Sequence, residues 1–495
     1  MDRGGRRIRF IEGKEVKIET PTNAYANDAP MEAQWVRIVG VNLRSAEPLL
    51  VLNGAERNEA MRNQRGRIVL GVLTVLLLLI GSGDAFAQID PGPRGGPADA
   101  GGPIPGLKPN ELSFFQLGLE VFGELAGVAN GLGPRFNLDS CAGCHAQPAV
   151  GGTSPFINPQ VEVATKNQAR NEIPFFITLN GPVREARFKF KPDGTRDGGV
   201  HALFTITGRA DAAGCDIVQP DFLAEARHDN LVFRIPTPVF GAGLIENIPN
   251  NVILENKNSQ LALKKILGIS GRENRSGNDG TIARFGWKAQ VKSPFIFSGE
   301  AYNVEQGVTN ELFPQERDET QGCVLNLLPE DRTNFDGTTP AEFLPDLELF
   351  SFFMRFLAPP TPAQDTPATI RGRKLFNQIG CSLCHTPRLA TGKTGVEALS
   401  NQEVNLFSDL LLHNMGRELA DDIFQGNAGP DEFRTAPLWG LGQRIFFLHD
   451  GRTADLHEAI KAHKSPGSEA NRVILAFNTL TGRQKQDILD FLRSL

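Results

Sequence analysis

Apolar and polar residues change period several times along this 495-residue chain, and each period predicts a different element. The run Ile68–Ile80 is apolar apart from Gly71 and Thr74. It follows Arg62, Arg65 and Arg67 and leads to Ala85-Phe86-Ala87, the order of a secretory signal with its cleavage site. It is short for a membrane span. Helical spacing then predicts a helix capped by Asn110 or Ser113 and running to about Leu125. A second is predicted around Arg371–Phe376, and a terminal one over Gly482–Leu495, with Ile488, Leu489, Phe491 and Leu492 on one face. β-rich runs at Pro174–Leu179, Arg187–Lys191 and His201–Thr207, broken by Asp193-Gly194 and Gly198-Gly199, predict a hairpin insert. The expected class is mainly α, with long loops and a small β insert in the N-terminal half.

These patterns divide the chain. Residues 1–60 lack clear periodicity and read as an upstream extension; 61–87 read as the signal, with mature chain from near Gln88. The alternative is an uncleaved anchor. Either way the remainder lies outside the inner membrane, in the periplasm, with no stable span after cleavage. Residues 88–109 are Pro/Gly-rich and read as a flexible tether. Residues 110–360 and 361–495 are the expected N-terminal and C-terminal domains.

Composition narrows the chemistry. Net charge is −6 and no basic stretch lies beyond the signal and residues 1–10, which argues against nucleic acid as a partner. Four of six cysteines and two of eight histidines fall in two strings, Cys141-Ala-Gly-Cys144-His145 and Cys381-Ser-Leu-Cys384-His385. C-x-x-C-H suits covalent haem c: two thiols capture the porphyrin vinyl groups and the histidine ligates iron. Zinc knuckles are the rival. The immediate Cys-His junction and the export signal favour two haems, with His145 and His385 on the irons. Cys215 and Cys323 remain, and in an oxidising compartment a disulfide is expected.

Three features recur in the same order. Leu117–Phe122 and Arg371–Phe376 precede the two strings, by 23 residues from Gly118 to Cys141 and 9 from Gly372 to Cys381. Arg234-Ile-Pro-Thr-Pro238-Val-Phe-Gly241-Ala-Gly243 echoes Arg434-Thr-Ala-Pro437-Leu-Trp-Gly440-Leu-Gly442. Gly286-Trp287-Lys288-Ala289 echoes Asp450-Gly451-Arg452-Thr453. The order predicts two cytochrome c-like haem domains arising by duplication.

The two strings, Arg434–Leu438, Leu448-His449-Asp450-Gly451-Arg452 and the terminal helix together resemble the bacterial di-haem cytochrome c peroxidase superfamily, within the di-haem oxidoreductase branch often labelled thiol oxidoreductase. The resemblance covers roughly residues 110–495. It implies that a C-terminal haem transfers electrons and an N-terminal haem handles peroxide. The family's sixth ligand to the C-terminal haem, fourteen residues after His449, falls on His463. This is a departure, since the peroxidases carry Met there and the tryptophan-radical maturation enzyme carries Tyr. Bis-histidine ligation implies a lower potential than His/Met. His413 and Met415 rank below His463 as ligands.

At the first haem, Glu305 lies seventeen residues after Lys288, the offset that places the family's acid–base glutamate. His201 and His228 are candidates for a removable distal ligand. Trp287 or Trp439 is a candidate relay between the haems, and Tyr302 is expected to line the same pocket as Glu305. His449 is expected to support the domain interface rather than bind iron. The resemblance also implies a calcium ion held largely by backbone carbonyls. The leading function is a peroxidase-like oxidoreductase that takes electrons from a small periplasmic cytochrome or cupredoxin and reduces hydrogen peroxide. A non-catalytic electron carrier and a radical-forming maturation enzyme are the alternatives.

Overall fold

The computed structural model describes residues 88–495. The expected extension and signal, 1–60 and 61–87, lie outside the described residues. Among the described residues no helix is long and apolar enough to cross a membrane.

The architecture is helical with small antiparallel sheets. Helix α1 (Pro109–Phe122) starts where Pro109 fills the first turn and Glu111 accepts the Lys108 N–H at 2.7 Å, so neither Asn110 nor Ser113 is its cap. It stops at Phe122, short of Leu125, because Gly123 follows. Helix α2 (Pro294–Gln306) is capped by Ser293, whose hydroxyl accepts the Ile296 N–H, and ends at Gly307 in the left-handed region. Helix α3 (Asp346–Phe356) lies along α1, with Phe353 ring centroids 5.6 and 4.8 Å from Phe115 and Phe122. Helix α4 (Pro367–Gln378), capped by Thr366, pairs in the same way with α5 (Gly482–Ser494), where Phe376 and Phe491 lie 5.5 Å apart. Phe353 and Phe491 are fully buried. Burying one such ring stabilises by about 2–3 kcal/mol.

Glycines set how closely these helices meet. A Cβ at Gly118 would lie 2.3 Å from the Leu349 carbonyl oxygen of α3, and one at Gly372 would lie 1.9 Å from the Asp487 carbonyl oxygen of α5. Six residues further along each closing helix a second notch appears. Gly243 faces the Arg355 carbonyl oxygen (2.0 Å) and Gly442 faces that of Arg493 (2.1 Å). Two seven-residue loops also match. Phe285 bridges Val291, and Phe447 bridges Thr453. Backbone φ is positive at the second and fifth residues of both: Gly286 and Ala289, Leu448 and Gly451. This register aligns Trp287 with His449, two residues from the alignment read from the sequence.

The β insert differs in detail from expectation. Strands β1 (Glu185–Phe188), β2 (Val200–His201) and β3 (Leu231–Arg234) form one sheet in the order β2-β1-β3. Pro174–Leu179 is not a strand, because Ile177 N–H turns back to the Pro174 carbonyl at 2.9 Å. The run His201–Thr207 is split between β2 and a short bridge, Phe204–Thr205, that pairs with Arg135–Phe136. The C-terminal half carries strands of its own, including β4 (Leu412–Asn414) paired with β5 (Glu432–Arg434). Residues 88–109, read as a flexible tether, are laid along the fold. Asp90 pairs with Arg493 at 2.6 Å, the Ile104 N–H reaches the Phe356 carbonyl at 2.7 Å, and Ile104 is buried. Pro/Gly composition hid these anchors. Cys215 and Cys323 are joined by a disulfide spanning 108 residues.

Candidate functional site

Each C-x-x-C-H string forms one tight turn, helical at Cys141–Cys144 and 3-10 at Cys381–Leu383. The four cysteines of the two strings are free. Burial pushes the Cys141 and Cys381 thiols up to about 12, so they stay protonated. The two histidines are mounted alike. His145 Nδ1 donates to the Gly152 carbonyl at 2.9 Å, and His385 Nδ1 donates to the Phe407 carbonyl at 3.1 Å. Fixing Nδ1 leaves Nε2 free as a ligand. Each ring has an aromatic from the first helix beside it, Phe122 at 6.0 Å and Phe376 at 6.3 Å.

A cleft opens over His145, with Cys141 and Cys144 in its wall. Paired thiols and a free imidazole nitrogen facing one large, mostly apolar space fit a covalently held haem. Glu305, Tyr302 and Trp287 line this cleft together with Glu185 and Arg187. Helix α2 supplies Glu305 and Tyr302, and the Tyr302 hydroxyl donates to Asp346 at 3.2 Å. Glu305 hydrogen-bonds Glu185 and accepts from Asn137 Nδ2 at 3.0 Å. Burial, then the adjacent Glu185 charge, holds the Glu305 carboxyl well above the usual carboxylate range. Burial also opposes ionisation of Glu185. Arg187, whose Nε donates to it at 2.5 Å, outweighs that and keeps it below the usual range. Of the two, Glu305 is the carboxyl that holds its proton more readily.

Sequence reasoning missed Glu185 and Arg187. The available signal was their spacing: in a strand, i and i+2 share a face, so Glu185 and Arg187 point into one site.

The second site is set among His385, Phe407 and His463. His463 ends the helix Leu456–Ala462, and its Nδ1 donates to the Ala459 carbonyl at 2.8 Å. Its Nε2 is thereby left free. Burial and then the His463 charge push His385 down to about 4.

Other candidates fall elsewhere. His201 stacks on Phe188 at 3.7 Å and hydrogen-bonds Asp197 at 2.9 Å; it does not line the cleft, because β2 directs it along the sheet. His228 is exposed beyond the helix Phe222–Arg227. His413 has both ring nitrogens engaged, by Asp409 at 2.9 Å and Glu469 at 2.7 Å, which leaves none for iron. Met415 is half-buried on the loop after β4, where its N–H donates to the Asp431 carbonyl. His449 is buried, stacked on Phe433 at 4.3 Å and edge-on to Trp287 at 6.4 Å. Trp439 packs on Gly241, away from the cleft.

Lys288 does not face Glu305. Its ammonium donates to the carbonyls of Gly429 (2.8 Å), Pro430 (3.3 Å) and Glu432 (3.0 Å) and pairs with Asp421 at 3.0 Å. Its ammonium thus sits among three converging carbonyls. Among the described residues no cluster of three or more His, Cys, Asp or Glu side chains is arranged to hold a metal ion.

Comparison with known proteins agrees with this chemistry. The family model "Di-haem oxidoreductase, putative peroxidase" matches residues 190–495. Among solved structures, hydrazine synthase of Kuenenia stuttgartiensis is similar at 19% identity and TM-score 0.21, over 32% of this chain and 56% of that one. A MauG-like protein associated with microbial copper homeostasis is similar at 20% identity and TM-score 0.23, over 32% and 55%. The chain thus spans about half the length of each. No curated protein matches. More than half of the chain falls within the family model, and the chain belongs to the di-haem oxidoreductase family.

Proposed function

We propose that the chain is a periplasmic, c-type, peroxidase-like oxidoreductase built from two duplicated haem domains. The C-terminal half takes electrons from a small cytochrome or cupredoxin, and the N-terminal half delivers them to hydrogen peroxide. Haem c held by Cys141, Cys144 and His145, and a second held by Cys381, Cys384, His385 and His463, would each supply a redox-active iron. The matched glycine notches and loops support the duplication.

The observation that carries the reading is the Glu305–Glu185 pair in the cleft over His145. Reductive cleavage of a peroxide needs a proton moved from one oxygen to the other. Ionised Glu185 can accept a proton, and neutral Glu305 can give one. Arg187 keeps the charge on Glu185, and Asn137 fixes the Glu305 carboxyl. Enclosure keeps competing water from the pair. Trp287 borders both this cleft and the cavity shared with the C-terminal half, together with Thr237, Val239, Phe297 and Met354, and its indole is the proposed relay.

Glu305→Gln is expected to abolish peroxide turnover while haem content stays at two per chain. Full activity in that variant would remove Glu305 from the mechanism.

A further inference from the structure

Among the described residues every buried arginine has a polar partner except Arg444. Arg234 pairs with Asp421, Arg493 with Asp90, Arg187 with Glu185 and Arg209 with Asp211. Arg284 donates to the Ile245 and Glu246 carbonyls at 3.3 Å and to Asn250 Oδ1 at 2.6 Å. The Glu246 carboxylate is itself bound by Arg355 at 2.7 Å. Arg434 gives Nε to the Gly286 carbonyl at 2.9 Å and Nη1 to the Thr435 carbonyl at 3.4 Å, and no carboxylate pairs with it. Arg444 is 7% exposed, and its guanidinium reaches no carboxylate, carbonyl or hydroxyl among the described residues.

Arg284, Arg434 and Arg444 line one small cavity. The rest of its wall is apolar or aromatic apart from the Thr237 hydroxyl, and no acidic side chain lines it. Its free space is about 30 Å³, room for one occupant the size of a water. Burial pushes Arg444 down to about 10, and burial and then the Arg444 charge do the same to Arg434, so both remain charged at neutral pH. Charges held in an apolar box without a counter-charge are strongly unfavourable, and here like charges also oppose each other. A neutral water would leave that imbalance in place. An anion corrects it, and the space admits only a small one. Sulfate, phosphate and a carboxylate on its carbon chain are too large. Chloride is only slightly larger than water, and a guanidinium, being weakly hydrated, suits it. Thr237 and Trp287 line both this cavity and the cleft over His145, which gives an ion its way in.

We infer that the cavity binds one monatomic anion, of which chloride is the type, at the Arg444 and Arg434 guanidiniums. The site lies where the strip 434–444 meets the loop that carries Trp287. Arg434 already donates its N–H to the Trp287 carbonyl at 2.8 Å and its Nε to Gly286 in the same loop. The ion therefore fastens this joint by cancelling the charge that would drive the two arginines out of it. The inference goes beyond the proposed peroxidase chemistry and stands without it.

The test is thermal unfolding of the holoprotein in sodium chloride against sodium gluconate at one ionic strength. Gluconate is too large for the cavity. Chloride is expected to raise the unfolding temperature saturably, by a few degrees, as an ion that binds only the folded chain must. Arg444→Gln should lose that rise, and Arg444→Lys, which keeps the charge, should retain part of it. Equal unfolding temperatures of the wild type in the two salts would overturn the site. So would a rise that survives intact in Arg444→Gln. A rise accompanied by shifted haem absorption bands would put the halide on iron and overturn it as well. If a carboxylate of a haem at Cys141 and Cys144 reached the cavity instead, chloride would have no effect and Arg444→Gln would move that haem's midpoint potential. Should the Gln variant not fold, chloride NMR of the wild type decides. Excess line broadening that bromide reverses is expected, and its absence would overturn the site.

Discussion

Residues 110–360 and 361–495 seat their C-x-x-C-H histidines on the same mount. A backbone carbonyl takes Nδ1, a phenylalanine from the first helix stands by the ring, and a closing helix carries two glycine notches six residues apart. On the opposite face the halves diverge. The first surrounds His145 with a cleft, a proton-sharing carboxyl pair and an arginine from the inserted sheet. The second sets His463 within electrostatic reach of His385. The mount depends on short-range packing, which tolerates little change. The distal face depends on what the connecting segments bring in. On this account one construction serves two ends, an open site for chemistry and a closed one for electron transfer.

The comparison breaks most sharply at the carboxyl pair. Glu185→Gln is expected to cut peroxide turnover by about 10²–10⁴-fold, the usual worth of acid–base assistance. The optical spectrum of the C-terminal haem should not change. In the wild type, turnover should be bell-shaped in pH. It falls on the acid side as Glu185, held below the usual range, gains a proton, and on the alkaline side as Glu305, held well above it, loses one. Glu185→Gln should move the alkaline limb to lower pH, since the like charge opposing Glu305 ionisation is gone. An unmoved limb would mean that the two carboxyls do not titrate together.

The disulfide belongs to the first half alone, where it closes a loop of 108 residues. Replacing both Cys215 and Cys323 with Ser is expected to lower stability by about 3–5 kcal/mol on the chain-entropy account. Chemical denaturation of the holoprotein would read this, and a neutral result would mean that the loop is held by its core without the link.

The smallest effect probes the shared mount. Gly372→Ala and Gly118→Ala each force a Cβ into the backbone of a closing helix, at a cost of about 1–3 kcal/mol. Gly372→Ala should cost more, given its tighter approach. A stabilising alanine at either position would show that the helices of that half do not meet as described.

What was legible in the sequence follows from the range of the forces involved. The tight turns of the two C-x-x-C-H strings, the terminal helix and its apolar face were readable because each is set by residues within a few positions of one another. The order of repeats was also readable, although the loop alignment of Trp287 with His449 needed backbone dihedrals. Glu185 and Arg187 could not be assigned because their partner, Glu305, lies more than a hundred residues away. His201 misled because a lone histidine near a haem string carries no direction, and the pleat turned it toward Asp197. The tether at 88–109 misled because composition records flexibility but not anchors such as Asp90 with Arg493.

The central claim, one open and one closed haem face, is tested most directly by cyanide titration with EPR on oxidised holoprotein. The account predicts one cyanide per two haems in the wild type. In His463→Ala it predicts two, with the second haem turned high spin. Two cyanides or none in the wild type, or an unchanged low-spin signal in His463→Ala, would contradict it.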